Sequence, residues 1–179
     1  MKLIFPILPV LALAMLASMM AAPVPPAGVA AAKESTTPVH PGASGLAIPR
    51  FVSLSSGTAN MRAGPGVRYP ITWVYRRKGT PLMVMAEFEY WRKVRDAEGT
   101  QGWMHSSLLS GRRMAVLRGG INELHRAPKV EAPVALRAEA GVIGQLLACQ
   151  GLWCELAVNE NRAWLLRSNI FGALPNEDF

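Results

Sequence analysis

From Arg50 onward the chain alternates short apolar runs with residues that make turns. The runs predict strands at Arg50–Leu54, Ala59–Arg62, Ile71–Tyr75, Pro81–Ala86, Trp91–Arg95 and Gln101–Met104, with a closing turn at Ser107–Leu109. The stretch Asn60–Gly66, N-M-R-A-G-P-G, sets the register of all of them. Asn60 and Met61 close an alternating run. Gly64, Pro65 and Gly66 then force a loop, because Gly tolerates positive φ and Pro locks φ at about −65°. Strands this short and closely spaced, with no helical period, predict a small β-barrel. Gly (16) and Pro (14) are spread along the chain, which suits many turns and excludes a helical bundle.

The pattern then repeats. Phe51–Leu54 corresponds to Met114–Leu117, and Met61, Pro65 and Pro70 correspond to Leu124, Pro128 and Pro133, all at a spacing of 63. Gly79, Trp91 and Val94 meet Gly141, Trp153 and Leu156 at 62, and Trp103 and Gly111 meet Trp164 and Gly172 at 61. Two single-residue deletions, of the kind loops absorb, explain the drift. The folded part therefore reads as two units, 50–113 and 114–174, followed by a tail at 175–179. A unit of this size is marginally stable alone, so packing between units or a covalent staple is expected.

The amino-terminal third follows a different pattern. Met1-Lys2 precedes the uncharged, apolar Leu3–Met20, and small residues follow at Ala21-Ala22 and Ala30–Ala32. This is the layout of a secretory signal peptide over 1–32, with cleavage expected between 22 and 32 and best placed after Ala32. An uncleaved anchor helix is the alternative, although Pro6 and Pro9 would interrupt it. No Cys lies near this segment, which argues against a lipid-modified amino terminus. Residues 33–49 are rich in Pro, Ala, Gly, Ser and Thr and have no aromatic residue, so a flexible, disordered linker is expected there.

Charge and cysteine change the picture modestly. The net charge of +7 would draw any acidic polymer, and export argues against nucleic acid as the partner. Basic residues concentrate in unit one, at Arg76-Arg77-Lys78, Arg92-Lys93, Arg95 and Arg112-Arg113. A basic face would suit an acidic partner, and equally serves solubility alone. The only two cysteines, Cys149 and Cys154, flank a tight turn where two strands face each other. In an exported chain a disulfide is expected, with two buried thiols as the alternative. The equivalent positions in unit one are Glu87 and Arg92, an opposite-charge pair that would close the same hairpin.

The segments N-M-R-A-G-P-G at 60–66, P-I-T-W-V-Y-R-R-K-G at 70–79, Y-W-R-K-V at 90–94, G-W-M at 102–104 and L-L-S-G at 108–111 together resemble a bacterial SH3-like (SH3b) domain. With A-G-V-I-G-Q-L-L-A-C-Q-G-L-W-C-E-L at 140–156 and I-F-G at 170–172, the chain also resembles exported tandem SH3-like proteins of alphaproteobacterial type, over residues 50–174. The resemblance implies an all-β fold of two tandem small SH3-like barrels after a signal peptide and a linker. It also implies a non-catalytic binding module of the cell envelope, periplasmic or secreted. SH3b domains often target peptidoglycan, so peptidoglycan or its peptides is the implied ligand. An envelope protein, bound with no glycan, is the alternative partner. Unit two departs from the pattern, with His125-Arg126-Ala127-Pro128 in place of the glycine turn and Ala163 where unit one has Gly102. A ligand site is therefore expected in unit one.

The candidate ligand-binding residues are Tyr69, Trp73, Tyr90, Trp91 and Trp103, with Arg62 from the first turn. Trp91 falls, by resemblance, near the groove-lining Trp of SH3 domains. Aromatics in a small barrel also serve as core, so each has a competing structural role. No catalytic residue, metal site or cofactor is expected. His105-Ser106-Ser107 are only sequence neighbours, and His105 reads as a loop residue after the Trp strand. His40, His105 and His125 lie in unrelated segments, short of the three or four ligands a metal needs. Contact with a membrane is expected only through an uncleaved leader, and no hydrolase domain is expected beside the barrels.

Overall fold

The computed structural model describes residues 40–179, so the expected signal peptide and the first part of the linker lie outside the described residues. Among the described residues no helix is long and apolar enough to cross a membrane. The chain starts with a two-stranded ribbon of β1 (His40–Pro41) and β2 (Ala47–Ile48). Barrel one follows, with β3 (Arg50–Leu54), β4 (Ala59–Arg62), β5 (Ile71–Tyr75), β6 (Pro81–Phe88), β7 (Trp91–Arg95), β8 (Gln101–His105) and β9 (Leu109–Ser110). Barrel two has β10 (Met114–Leu117), β11 (Ile121–His125), β12 (Val134–Glu139), β13 (Ile143–Gln150), β14 (Trp153–Val158), β15 (Asn161–Leu166) and β16 (Ile170–Phe171). A single 3-10 turn precedes the last short strand in each barrel.

The two sheets have one topology. Barrel one runs β5-β4-β8-β7-β6-β3-β9, and barrel two runs β12-β11-β15-β14-β13-β10-β16. The fold is all-β, with two tandem small barrels, as the alternating pattern and the repeat predict and as the resemblance to SH3-like domains implies. Most of the fully buried side chains of barrel one have a counterpart at the repeat offset, Leu82, whose equivalent is Gly144, being an exception. Leu54, Met61, Val84, Val94 and Met104 fill one core, and Leu117, Leu124, Leu146, Leu156 and Leu165 fill the other. The inward faces are set by period-two alternation, so a one-residue slip of any strand would expose the whole set.

Residues 40–49 correct the expectation of a flexible linker over 33–49. Their composition offers little apolar area to bury, but one polar anchor orders them. The Ser44 amide and hydroxyl donate to the Glu87 carboxylate at 2.7 and 2.9 Å, and Arg50 reaches the same carboxylate at 2.6 Å. Glu87 is opposite Arg92 in the β6–β7 pairing, and the two form an ion pair at 3.1 Å. The Glu87 side chain is 1% exposed. Burial alone would push its carboxyl up; the Ser44 amide, Arg50 and the Ser44 hydroxyl outweigh this and hold it below the usual glutamate value.

In barrel two the same positions carry a disulfide. Cys149 and Cys154 are opposite each other in the β13–β14 pairing, are bonded, and are wholly buried. The carboxyl-terminal residue covers this corner, with Phe179 and Cys149 exchanging two backbone hydrogen bonds of 3.2 Å. The bridge closes a loop of a few residues, so replacing both cysteines by Ala is expected to cost about 2 kcal/mol. Urea unfolding of the variant beside the wild type, with and without reductant, checks this. Reductant should shift the midpoint of the wild type and leave the variant unmoved.

The barrels share a seam. Phe51 of β3 and Phe171 of β16 meet edge to face at 5.0 Å, both buried. Arg77 donates to the Gly141 carbonyl at 2.8 Å. Gly79, at φ +81°, lies where a Cβ would meet the Met114 methyl at 3.3 Å. The connector Gly111–Arg113 is tied back as well, because Ser53 Oγ donates to the Arg112 carbonyl at 2.9 Å.

Candidate functional site

Strands β7 and β8 carry the candidate face. Pairing sets Trp91 opposite His105 and Lys93 opposite Trp103, and Trp103 is in turn opposite Arg62 of β4. These residues alternate with the buried Val94 and Met104, so Trp91, Lys93, Trp103, His105 and Arg62 all lie on the outer side of the sheet. At one end of this face the β6–β7 turn presents Tyr90, 70% exposed, and β6 ends at Phe88, which is opposite Trp91 and 51% exposed. The His105 ring stacks on Tyr90 at 6.1 Å and meets Trp91 edge-on at 5.5 Å. Tyr90 and Trp91 thus both pack on the His105 ring, and such ring contacts limit the rotamer freedom lost on binding.

The structure thus brings Tyr90, Trp91, Trp103 and Arg62 to one face and sets Trp73 and Tyr69 apart. Trp73 lies on the edge strand β5, is opposite Met61 rather than Arg62, and contacts Tyr75 at 6.5 Å. Tyr69 belongs to the loop between β4 and β5. Its ring lies flat on Gly64, where a Cβ would come within 2.6 Å of the ring carbons, and the Arg68 guanidinium covers it at 5.2 Å. Arg62 anchors this loop by donating to the Val67 and Tyr69 carbonyls at 3.0 and 2.7 Å. His125, the repeat counterpart of Arg62, makes the matching contact to the Ala132 carbonyl at 2.8 Å. A loop clamp at this position is therefore common to both barrels, and the chemistry of the clamping side chain is free to vary.

His105 corrects the expectation of a loop residue: it is the last residue of β8. Extending the alternation Gln101, Trp103 by one more step would have placed it beside Trp91. Its Nδ1 lies 2.7 Å from Ser107 Oγ, and the Ser107 amide donates to the same nitrogen at 3.3 Å. These contacts cap the 3-10 turn and orient the ring. Among the described residues no group of three or more His, Cys, Asp or Glu is placed to hold a metal. The buried Tyr75–Asp96 pair, 2.7 Å apart, is also structural. Asp96 Oδ1 accepts the Glu98 and Thr100 amides of the β7–β8 turn at 3.1 and 2.8 Å. Burial and the Asp96 carboxylate raise the Tyr75 hydroxyl well above the ordinary tyrosine range, so it stays a donor.

The model of the bacterial SH3 domain matches twice, over residues 55–111 and 121–172, one match to each sheet. The chain belongs to the bacterial SH3 domain family. No curated protein matches this SH3 protein. Solved structures with a similar trace include an NlpC/P60 family protein from Bacillus cereus ATCC 10987, 13% identical, TM-score 0.31, covering 68% of this chain and 55% of that one. Another is NlpC2 from Trichomonas vaginalis, 10% identical, TM-score 0.32, covering 69% of this chain and 48% of that one. The chain spans about half the length of each.

The two SH3 barrels differ sharply in charge. Residues 50–113 carry eleven Lys or Arg against four Asp or Glu, whereas residues 114–179 carry six against seven. The aromatic positions are kept in barrel two as Trp153 and Trp164, with His125 edge-on to Trp153 at 5.8 Å. The surrounding groups are not kept: Leu152, Glu155 and Leu166 replace Tyr90, Lys93 and His105. Glu155 is opposite Trp164, so the cation beside the first Trp becomes an anion beside the second. Among the described residues, the cation beside the β8 Trp and the exposed Tyr90 at the β6–β7 turn therefore belong to barrel one.

Proposed function

We propose that this SH3 protein is an exported, non-catalytic binding module of the cell envelope, and that the aromatic face of barrel one takes the peptides of peptidoglycan. The observation that carries the reading is the cluster of the exposed Tyr90 with the half-buried Trp91 and His105, flanked by the exposed Phe88 and by Lys93 beside Trp103, on the more basic barrel. Extended peptides dock on aromatic-lined SH3-type surfaces through ring contacts, and wall peptides add free carboxylates that pair with Lys93. The signal-peptide layout of the first residues supports a periplasmic or secreted location. Membership of the bacterial SH3 family supports binding over chemistry.

The test is co-sedimentation of the full chain with insoluble peptidoglycan across a salt range. Trp91→Ala is expected to lower the bound fraction about tenfold, as loss of a central aromatic anchor does, with the circular dichroism spectrum retained. Wild-type binding that persists at high salt marks ring contacts, and binding lost at moderate salt marks charge attraction alone. Undiminished binding by Trp91→Ala removes the face assignment.

A second reading is favoured by the edge strand. β5 is the outermost strand of its sheet, and Ile71, Trp73 and Val74 on it are 47%, 52% and 39% exposed. An unpaired edge with exposed apolar side chains can accept a strand from an envelope protein. Cross-linking from position 73 that captures a protein, with no sedimentation on peptidoglycan, would select this reading.

A further inference from the structure

A cleft of about 420 Å³ opens at the seam of the two barrels, lined by Ser53, Leu54, Ser55, Lys78, Gly79, Ser110, Arg112 and Met114. It shares no residue with the aromatic face. Its polar side chains are two cations and three hydroxyls. Lys78 and Arg112 have no ion-pair partner among the described residues, and no Asp or Glu lines the cleft. Ser110 Oγ accepts the Arg112 amide at 3.1 Å, and its own proton has no protein acceptor among the described residues. The hydroxyls of Ser53 and Ser55 are committed to the Arg112 and Ser107 carbonyls, which holds the wall in place.

The repeat supplies an internal control. Ser53 is opposite Ser110 in barrel one, and Val116 is opposite Phe171 at the same register in barrel two. Gly79 donates to the Leu54 carbonyl as Gly141 donates to that of Leu117, so Lys78 corresponds to Ala140. Arg112 likewise corresponds to Ala173. The backbone geometry is therefore common to both barrels, whereas the two cations and the free hydroxyl occur in one. Fold stability alone does not require them, because barrel two folds with Ala, Ala and Phe in their places.

We propose that the seam cleft of barrel one is a binding site for a small oxyanion, a carboxylate or phosphate group, held by Lys78, Arg112 and the Ser110 hydroxyl. Two exposed cations and a hydroxyl lining one cleft match the acceptor-only chemistry of such a group, and charge-assisted hydrogen bonds supply the strength. The Met114 side chain at the back of the cleft accommodates a short apolar stem on the ligand.

The test is a titration of the full chain, ¹⁵N-labelled, with glutarate in one arm and inorganic phosphate in the other, followed by amide chemical shifts. Saturable shifts confined to Ser53, Ser55, Gly79, Ser110 and Arg112, with Val116, Gly141 and Phe171 unmoved, are the expected result in at least one arm. The arm with the lower Kd identifies the source as an organic acid or a phosphate. Lys78→Gln with Arg112→Gln should weaken that binding at least about tenfold while unfolding at the wild-type denaturant concentration. Shifts absent from both arms, shifts scattered over the surface cations, or full binding by the double variant would overturn the proposal. Peptidoglycan sedimentation by the same double variant reports on the aromatic face alone, so the two readings fail separately.

Discussion

Glu87→Ala is expected to destabilise barrel one by about 3 kcal/mol and to release the ribbon that precedes it. The carboxylate is the common acceptor for Ser44, Arg50 and Arg92, so its removal strands two guanidinium groups, 20% and 13% exposed, and frees the Ser44 amide. Breaking a buried pair on one side is costly because the remaining charge stays desolvated. Partial exposure of both arginines keeps the loss near the lower end of the range known for buried pairs. Urea unfolding gives the energy, and hydrogen exchange at residues 42–48 reports the ribbon.

The same carboxylate sets an acid limit. Its folded value lies below the ordinary 4.5, so the stability it contributes is full above that value. It is lost as the pH falls through the depressed folded value. Glu177, lowered by Arg113 and the Leu174 amide against the opposing effect of burial, loses its contribution in the same direction. Below the ordinary carboxylate range the ribbon and the carboxyl-terminal segment should therefore loosen together, and Glu87→Gln should abolish the acid-dependent part of the ribbon's exchange protection. Glu87→Cys with Arg92→Cys probes the equivalence to Cys149 and Cys154. Because the cross-strand register is the same, the pair should oxidise, stapling β6 to β7 without restoring the tie to Ser44.

Gly172→Ala is expected to cost about 3 kcal/mol, whereas Gly111→Ala should change stability by less than about 0.5 kcal/mol. The two glycines are repeat equivalents and look interchangeable in the sequence. At Gly172 a Cβ would run into the Met114 carbonyl oxygen and lie 2.7 Å from the Ala115 Cα. Both are backbone atoms of β10 and cannot swing aside, so β16 would have to leave the sheet. At Gly111 nothing lies within 4 Å. Thermal unfolding of the two single variants decides it, and equal midpoints would contradict the close approach of Gly172 to β10.

The contrast between these glycines shows where sequence reasoning stops. Strand positions, barrel class, the tandem organisation and the cross-strand equivalence of Glu87–Arg92 with Cys149–Cys154 were legible, because each depends on local alternation or on spacing within one hairpin. The aromatic residues themselves, Tyr90, Trp91 and Trp103, stand out in the sequence because they lie near turns of a small barrel. Their grouping does not. Trp73 and Trp103 look alike in the sequence, and only the pairing of β4 with β8 sets Trp103 beside Arg62 and leaves Trp73 on the edge. His105 was read as a loop residue because the strand preceding it was ended one residue early.

The ordered ribbon at 40–49 was hidden for a related reason. A segment poor in apolar residues looks like a tether unless its distant partner is known, and Glu87 lies 43 residues from Ser44. The seam cleft depends on contacts between the two units, at separations that no local pattern encodes. The sequence by itself determined what each hairpin would be, because alternation and turn chemistry act over a few residues. Only the tertiary structure decided which of those hairpins share a face, a corner or a cleft, because close packing joins residues far apart in the chain.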